Sequence, residues 1–288
     1  MAAASMLTIS ESLARAGIGG LARLDAQLLL LHALGVAPHA AHERRSWLLA
    51  HGEETTTPDC AKHYADYCAR RRAGEPLAYI TGHKEFFGLA LMVDARVLVP
   101  RPDTETLVQW ALEVLSATTP DGEPAGKAAL DLGTGSGAIA LALKHSRPAV
   151  TVDAVDCSAP ALEVARANAG RLGLDVRFFL GSWLDNTAAS YDCIVSNPPY
   201  IAAGDWHLAA LRYEPEQALV SGADGLDDLR RVAHGALAHL RGDGWLLLEH
   251  GHGQALAVQA MLAGRGYSHI QTRRDLSGQA RCTGGCRN

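Results

Sequence analysis

The stretch Leu130-Asp-Leu-Gly-Thr-Gly-Ser-Gly-Ala138 joins a short apolar run to a segment with helical periodicity. Its glycines, Gly133, Gly135 and Gly137, permit a tight turn and let backbone N–H groups and a helix N-terminus approach a ligand closely. Asp156 closes the next apolar run, at the spacing at which a carboxylate binds the hydroxyls of a ribose. The pattern predicts a strand, a glycine loop and a helix that together bind a nucleoside-containing cofactor.

Around this loop, apolar runs alternate with alanine- and leucine-rich segments of helical period. Such alternation predicts an α/β fold with an open, mostly parallel sheet covered by helices on both faces. Ligands of these sheets bind beyond the carboxyl ends of the strands. The predicted strands are 128–132, 150–155, 176–180, 191–196, 245–249 and 267–272, and the predicted helices are 138–145, 159–172, 226–240 and 253–263. The tail 281–286 looks less strand-like than the other runs.

The length of 288 residues predicts more than one domain. Residues 1–76 read as a small helical bundle, with a capping box at Thr8 and Glu11 and a helix that begins at Thr57-Pro58. Residues 77–105 contain short β-prone runs, including Val97 to Val99, and predict a hairpin linker. Residues 106–288 form the predicted cofactor-binding domain.

Composition limits the classes of function. The formal net charge of −5 and the pI near 6.2 argue against a protein that binds mainly by neutralising phosphates. The six scattered cysteines, the absence of a signal-peptide pattern in the first residues and the shortness of the longest apolar stretch, 26–37, predict a cytoplasmic protein without a membrane segment. Cys282 and Cys286 have no second pair or flanking histidine, so we expect no metal site.

The second diagnostic segment is Ser196-Asn-Pro-Pro-Tyr200, which follows the apolar run 191–195. Paired prolines end a strand and hold the following carbonyls in a nearly rigid arc. The Asn197 side-chain carbonyl and the Pro198 backbone carbonyl can accept both hydrogens of an amide or amino nitrogen, while Tyr200 packs on its flat face. This arrangement is typical of N-methyltransferases, although a simple strand stop followed by a turn is the plain structural alternative.

Other interpretations remain open at this point. The glycine loop also satisfies a loose dinucleotide fingerprint, so a nicotinamide-dependent oxidoreductase is one alternative. A DNA methyltransferase acting on the adenine amino group would use the same proline-rich segment around an extruded base. A cofactor-binding protein without turnover is the third. His250 and His252 follow a predicted strand, and we interpret them as structural or solvated rather than as a base or metal ligands.

Taken together, the motifs resemble the PrmC/HemK family of protein-glutamine methyltransferases over nearly the whole chain. The segments that carry the resemblance are Glu75-Pro-Leu-Ala-Tyr-Ile, Glu85-Phe-Phe87, Pro100-Arg-Pro-Asp-Thr-Glu105, the loop 131–137, Asn197-Pro-Pro-Tyr200, Tyr213-Glu-Pro and Gly222-Ala-Asp-Gly-Leu226. The resemblance implies a Rossmann-like class I methyltransferase domain behind a small N-terminal helical domain. The Asn-Pro-Pro-Tyr motif occurs in many methyltransferases, whereas the 100–105 and 213–226 segments are much narrower.

The resemblance also implies the reaction: transfer of a methyl group from S-adenosyl-L-methionine to the glutamine of the Gly-Gly-Gln motif in class I peptide chain release factors, leaving S-adenosyl-L-homocysteine. It implies a monomer without direct nucleic-acid contact, whose helical domain helps to dock the release factor. The implied catalytic residues are Asn197, Pro198, Pro199 and Tyr200, and the implied cofactor-binding residues are Gly133, Thr134, Gly135, Ser136, Gly137, Asp156, Trp183 and Asn197. Phe86, Phe87 and residues 101–105 would lie near the cofactor. Ser182 departs from the aspartate that relatives often place there.

Overall fold

The computed structural model describes residues 7–36, 41–116, 126–185 and 189–288. The chain divides into two compact units, with the boundary after Gly82. Residues 77–82, which the sequence assigned to a linker, therefore belong to the first unit, while the hairpin that follows belongs to the second.

The first unit is helical, and its caps follow the sequence pattern. Thr8 accepts a hydrogen bond from the Glu11 N–H at 3.1 Å, and Glu11 Oε2 accepts one from the Thr8 N–H at 2.8 Å, which is the predicted capping box. The Thr57 hydroxyl accepts from the Cys60 N–H at the start of the fourth helix. The helices are α1 (Ile9–Ile18), α2 (Arg23–Ala33), α3 (Ala41–Ala50), α4 (Pro58–Arg72) and α5 (Leu77–Thr81). Their buried faces share one apolar core.

The second unit opens with an antiparallel hairpin of β1 (His83–Phe86) and β2 (Leu89–Met92). Val97 to Val99, which the sequence suggested as a third β-prone run, is not a strand. The Val99 N–H donates to the buried Glu214 carboxylate at 3.0 Å instead of to a neighbouring strand. If Val99 paired with a strand, that carboxylate oxygen would lose its donor.

A seven-stranded sheet forms the body of the second unit. Its strands are β3 (Ala128–Leu132), β4 (Thr151–Asp156), β5 (Arg177–Leu180), β6 (Tyr191–Ser196), β7 (Leu240–Glu249), β8 (Ser268–Arg274) and β9 (Ala280–Cys286). The helices packed around it are α6 (Glu105–Ser116), α7 (Ala138–Ser146), α8 (Ala159–Leu172), α9 (Asp227–His239) and α10 (Ala255–Gly264). The predicted bounds of β3 and β6 are those found, and the expected α/β class is confirmed.

Strand order places the ligand crevice. The order is β5-β4-β3-β6-β7-β9-β8, with parallel pairing from β5 to β7 and antiparallel pairing around β9. The chain winds from β3 outward to β5 and then returns to continue at β6, so the winding direction reverses between β3 and β6. Open α/β sheets bind ligands outside the carboxyl ends of the strands at such a reversal. The loops after Leu132 and Ser196 meet there.

Side chains of the central strands alternate between two cores, as strand geometry requires. Ala129 packs in a cluster with residues of α6 and α7, whereas Leu130 and Leu132 pack in a cluster with residues of α9 and α10. All five residues of β3 are buried. The sheet is therefore covered by helices on both faces, which leaves the loops at the carboxyl ends of the strands as the place for a ligand. Within the described ranges, no helix has both the length and the apolar character needed to cross a bilayer.

The prediction for the tail was wrong, because residues 281–286 form most of β9, between β7 and β8. The weak signal comes from Gly284 and Gly285, which lower the apparent strand propensity. A Cβ at Gly284 would lie 2.5 Å from Leu247 and 2.9 Å from Trp110, so glycine stands there because no side chain fits. Cys282 and Cys286 are buried free thiols in this strand.

Candidate functional site

A cavity of about 220 Å³ opens at the carboxyl ends of four adjacent strands. Gly133 and Gly135 follow β3, Asp156 ends β4, residues 181–183 follow β5, and Asn197 with Pro199 follows β6. The remaining walls are Arg96, Val97, Leu98, Cys157, Ser158, Ala161, Pro215, Gln217, Ala218, Asp228 and Arg231, together with Val155. Six of the catalytic and cofactor-binding residues that the resemblance implied thus line one cavity: Gly133, Gly135, Asp156, Trp183, Asn197 and Pro199.

The glycine loop is held by backbone bonds and by one buried carboxyl. The N–H groups of Gly133 and Thr134 donate to the Val155 carbonyl at 2.9 and 3.0 Å. Asp131 Oδ2 accepts from the Thr134 hydroxyl at 2.6 Å and from the Ala140 N–H at 3.2 Å, whereas Oδ1 has no partner among the described residues. Burial raises the pKa of Asp131 to about 7. Thr134 and Ser136 are buried and support the loop rather than line the cavity.

Gly137 is needed for packing rather than for the cavity. Its φ is +85°, and a Cβ there would lie 3.0 Å from Leu141 and 3.3 Å from Ala165. The third glycine therefore lets α7 begin close to α8.

Asp156 faces the cavity with its carboxylate already oriented. Oδ2 accepts from the Gly135 N–H at 2.8 Å and Oδ1 accepts from the Ser158 N–H at 2.9 Å. Burial raises the pKa of this carboxyl, and the backbone bonds from Ser158 and Gly135 act in the opposite direction. Each oxygen keeps a further lone pair for a ligand hydroxyl.

Trp183 covers one side of the glycine loop. Its φ is +51°, a left-handed conformation that a bulky residue rarely adopts, and its ring would lie 3.4 Å from a Cβ at Gly133. The indole therefore packs directly on the loop, and the φ of +74° at Gly133 is what favours glycine there. Ser182 is exposed and lines the cavity beside it.

The segment after β6 is braced by side chains that sequence analysis did not identify. Asn197 Nδ2 donates to the Thr104 hydroxyl at 3.2 Å. The Tyr200 hydroxyl donates to Glu249 Oε1 at 3.4 Å. Pro198 is buried, and neither it nor Tyr200 lines the cavity. Because Nδ2 is directed at Thr104, the Asn197 Oδ1, the acceptor atom of the amide, points away from that hydroxyl.

Two of the narrow motifs meet in an ion pair. Arg101 donates to the Glu214 carboxylate, whose other oxygen accepts the Val99 N–H. Glu214 is buried, so its charge is neutralised by this arginine and by a backbone donor. The sequence shows that the two motifs carry opposite charges, but it does not indicate that Arg101 and Glu214 pair with each other.

The backbone carbonyl of Tyr200 is contacted by Gly225 and by Gln254. Gly225 has a φ of +75°, and a Cβ there would lie 2.3 Å from the Tyr200 carbonyl oxygen. Gln254 Nε2 donates to the same carbonyl at 3.0 Å and to the Gly225 carbonyl at 3.3 Å. The glycine of the 222–226 motif is thus required by a backbone approach.

Other residues named from the sequence lie away from the cavity walls. Phe86 is a core residue, and the Phe87 N–H donates to Glu105 Oε1. His250 is fully buried, with its ring nitrogens bonded to the Gly251 carbonyl and the Thr283 hydroxyl, and burial lowers its pKa. This position agrees with a structural interpretation of His250.

Sequence comparisons identify both units. The family profile described as PrmC N-terminal domain matches residues 7–82, and the one described as methyltransferase small domain matches residues 109–222. A release factor glutamine methyltransferase of Bordetella pertussis is 45% identical over 92% of this chain and 95% of its own length. Relatives with the same description from Vibrio cholerae and Pseudomonas aeruginosa are 42% and 45% identical, over 97% and 91% of this chain and 94% and 91% of their own lengths.

Solved structures share the fold at much lower identity. A methyltransferase from Pyrococcus furiosus superposes with a TM-score of 0.53 at 19% identity, over 78% of this chain and 99% of the other. A 16S rRNA methyltransferase of Thermus thermophilus, in complex with AdoMet and guanosine, gives 0.52 at 20% identity, over 72% of this chain and 50% of the other. At these identities the likeness establishes the class I methyltransferase sheet. The identity, the coverage and the two profiles show more: the chain belongs to the release factor glutamine methyltransferase family.

Proposed function

We propose that the protein transfers a methyl group from S-adenosyl-L-methionine to the side-chain amide nitrogen of the glutamine in the Gly-Gly-Gln motif of class I peptide chain release factors. The observation that carries this proposal is the Asn197 amide. Its nitrogen donates to Thr104, its oxygen is an acceptor, and the residue lies on the wall of the cavity that Gly133, Gly135 and Asp156 also line.

The residues of the cavity fit S-adenosyl-L-methionine. Asp156 offers carboxylate lone pairs to the two hydroxyls of a ribose, and Gly133 and Gly135 line the cavity at positive φ, which glycine adopts without strain. Trp183, an aromatic residue that lines the cavity next to that loop, is the one we assign to a flat base. When bound, the cofactor supplies an electrophilic methyl carbon on a sulfonium. We assign Gly133, Gly135, Asp156, Trp183 and Asn197 to its binding, with Thr134, Ser136 and Gly137 holding the loop.

The chain's own residues supply orientation. An amide nitrogen is a weak nucleophile because its lone pair is delocalised, so the protein must favour the geometry in which that lone pair points at the methyl group. We assign Asn197 Oδ1 and the Pro198 carbonyl as acceptors of the two N–H hydrogens, Pro199 as the residue that keeps the arc rigid, and Tyr200 as the packing partner of the planar group. Neither Pro198 nor Tyr200 lines the cofactor cavity, so this assignment places the glutamine beside that cavity. These acceptors bind more strongly as positive charge develops on nitrogen, so they stabilise the transition state selectively.

We further propose a protein partner, without direct nucleic-acid contact, and a monomer that acts in the cytoplasm, where translation factors work. The net charge of −5 supports a protein partner over bulk phosphate binding. The first unit would dock the release factor. Its support is that three large apolar side chains of this unit, Ile18, Leu24 and Leu49, are exposed.

Docking is tested by Leu49→Glu, with Leu276→Glu on the second unit as the control, since Leu276 is equally apolar and fully exposed. Leu49→Glu should raise the KM for the release factor and leave cofactor affinity unchanged, while Leu276→Glu should change neither. An unchanged KM for Leu49→Glu would remove that face from the docking surface.

The function itself is tested by methyl transfer from radiolabelled cofactor to a purified release factor. Label should reach the wild-type factor but not its Gln→Ala variant in the Gly-Gly-Gln motif, and Asn197→Ala should lose most turnover with folding kept. Adenine-containing DNA is the rival acceptor. Labelled DNA with unlabelled release factor would overturn the proposal, and cofactor binding without any transfer would indicate a binding protein.

A further inference from the structure

An exposed tryptophan lies in the loop that follows residues 197–200, the acceptor segment. Trp206 is 79% exposed and does not line the cofactor cavity. The loop leaves the acceptor segment at residue 201 and returns to the site at Pro215, Gln217 and Ala218, which are cavity walls. Both ends of the loop therefore meet the proposed site, and the tryptophan lies between them.

The backbone of this loop is held at its base. The Ile201 N–H donates to the Leu219 carbonyl, and the Ile201 carbonyl accepts from the Ser221 N–H, both at 2.9 Å. Further along, the Asp205 N–H donates to the Ala202 carbonyl at 3.1 Å and closes a turn. These bonds hold the loop in one place relative to the acceptor segment.

The indole itself is ordered by its neighbours. The Asp205 carboxylate accepts from the His207 N–H at 2.9 Å and from His207 Nδ1 at 2.7 Å, which fixes the imidazole. The Trp206 and His207 rings stack, with centroids 3.6 Å apart and planes inclined by 29°. One face of the indole is thus supported while most of the side chain stays in water. A side chain ordered in advance loses less conformational entropy when a partner binds.

Trp206 is also close enough to the acceptor segment to contact the same partner. Because the turn brings Ala202 and Asp205 within about 7 Å, the Cα atoms of Tyr200 and Trp206 are at most about 18 Å apart. An extended chain advances about 3.4 Å per residue, so about five residues beside a bound glutamine span that distance. The residues next to the target glutamine are therefore within reach of the indole.

We propose that Trp206 is a docking residue for the segment of the release factor that carries the target glutamine, with the open indole surface packed on its glycine-bearing backbone. This inference rests on the proposed function. Glycine has no Cβ, so its peptide groups can approach an aromatic face closely. Tryptophan is also among the residue types that contribute most when protein interfaces form. The Asp205 carboxylate is engaged with His207, so the contact is apolar rather than ionic.

The kinetic test compares Trp206→Ala with Trp206→Phe, which keeps an aromatic face. Trp206→Ala should raise the KM for the release factor by about 10- to 30-fold, the loss typical of a truncated interface tryptophan. The kcat, the cofactor affinity and the melting temperature should stay close to wild type, because the indole is exposed and lies outside the cavity. Trp206→Phe should recover most of the loss. Leu276→Ala, which removes a fully exposed leucine, is the control and should change nothing. An unchanged KM for Trp206→Ala, or the same rise in Leu276→Ala, would overturn the proposal.

A short synthetic peptide centred on the Gly-Gly-Gln motif identifies the part of the release factor that Trp206 contacts. Trp206→Ala should lower kcat/KM by the same factor for the peptide as for the whole factor. A loss seen with the whole factor alone would place the contact elsewhere on that protein and overturn the proposal. If Trp206 instead covers a second copy of this chain, wild type should elute as a dimer and Trp206→Ala as a monomer, which would also overturn it.

A readout without turnover separates this test from that of the proposed function. The chain has five tryptophans, and the emission that differs between wild type and Trp206→Phe belongs to Trp206. That emission should shift to shorter wavelength when the peptide is added, because the indole leaves water. An emission that does not shift would overturn the contact. A shift without methyl transfer would instead overturn the proposed function, and transfer with an unchanged KM for Trp206→Ala would overturn only the docking role.

Discussion

Substitution of Gly225 is the sharpest test of how residues 197–200, the acceptor segment, are held. Alanine at this position would place its Cβ 2.3 Å from the Tyr200 carbonyl oxygen and 2.9 Å from Gln254 Nε2. Ordinary contacts begin at 3.4 Å, so the backbone on one side must move by about 1 Å. The two hydrogen bonds that Gln254 donates to the Tyr200 and Gly225 carbonyls would be lost in that movement.

The expected cost of Gly225→Ala is a sum of local contributions. The left-handed backbone costs about 1 to 2 kcal/mol for alanine, and each lost hydrogen bond costs about 1 kcal/mol. The free energy of unfolding of the second unit should therefore fall by about 3 to 4 kcal/mol, which corresponds to a melting temperature lower by about 6 to 16 °C. Turnover should also fall by up to about 100-fold, because Tyr200 moves relative to the acceptors.

The control is Gly204→Ala, in the loop that follows the same segment. Gly204 has a φ of +84°, and apart from its chain neighbours no described residue lies within 4 Å of the point that an alanine Cβ would occupy, so alanine there meets only the backbone penalty. That penalty is partly offset by the lower entropy of the unfolded chain, which leaves about 1 kcal/mol. Urea unfolding and methyl transfer are the assays for both variants. Equal stability and equal turnover in the two would refute the idea that position 225 supports Tyr200 by close approach.

Three further predictions concern other parts of the site. Asp156→Ala should weaken cofactor binding by about 10- to 100-fold, as expected for lost bonds to a charged acceptor; calorimetry that finds unchanged affinity would remove the ribose assignment. Arg101→Met leaves the Glu214 carboxylate buried without its cation and should lower the free energy of unfolding by about 3 kcal/mol, with partial recovery on adding Glu214→Gln. The folded-state pKa of Glu249 is about 7 against 4.5 for the unfolded chain, so the native protein binds a proton that the unfolded chain has released, and stability declines as pH rises between these values. Glu249→Gln lacks this decline, and its advantage in urea unfolding should grow by about 3 kcal/mol between pH 4 and 8; a constant difference would mean that the carboxyl is not buried in the folded state.

The sequence predicted the parts of the fold that are governed by local pattern. The runs 128–132 and 191–196 are continuous, apolar and bounded by turn residues, and both are strands with those bounds. The capping box at Thr8 and Glu11 needs only residues three apart, and it forms. Features of this kind depend on neighbours in the chain, so composition and spacing carry enough information.

The tail shows where local pattern fails. Residues 280–286 contain two glycines and two cysteines, and their intrinsic preference for strand is weak. They lie between β7 and β8 because those strands supply hydrogen bonds on both sides and because Leu247 and Trp110 leave no space for a side chain. Tertiary contacts override propensity here, and a sequence without aligned relatives gives no sign of them.

The candidate site divides in the same way. The glycine loop and the Asn-Pro-Pro-Tyr segment could be found because each is a compact motif with its own chemistry. Glu249 could not, and Thr104 was named only within 101–105 without a partner, because their bonds to Tyr200 and Asn197 join segments 49 and 93 residues apart. Residues that touch a ligand are often visible in a sequence, whereas residues that orient them become visible only in the fold.

The motifs 100–105 and 213–226 contact each other, and both contact the acceptor segment. The segment 100–105 supplies Arg101 to Glu214 and Thr104 to Asn197, while the segment 213–226 supplies Glu214 in return and places Gly225 under the Tyr200 carbonyl. The acceptor segment is therefore held at Asn197 by Thr104 and at Tyr200 by the close approach of Gly225. The ion pair between Arg101 and Glu214 links the two motifs that make these contacts. An Asn-Pro-Pro-Tyr segment alone orients any planar nitrogen, so it serves many methyltransferases. This chain adds the contacts that Thr104 and Gly225 make with that segment and the ion pair between Arg101 and Glu214. Substitutions of these residues should reduce turnover more than they reduce cofactor affinity.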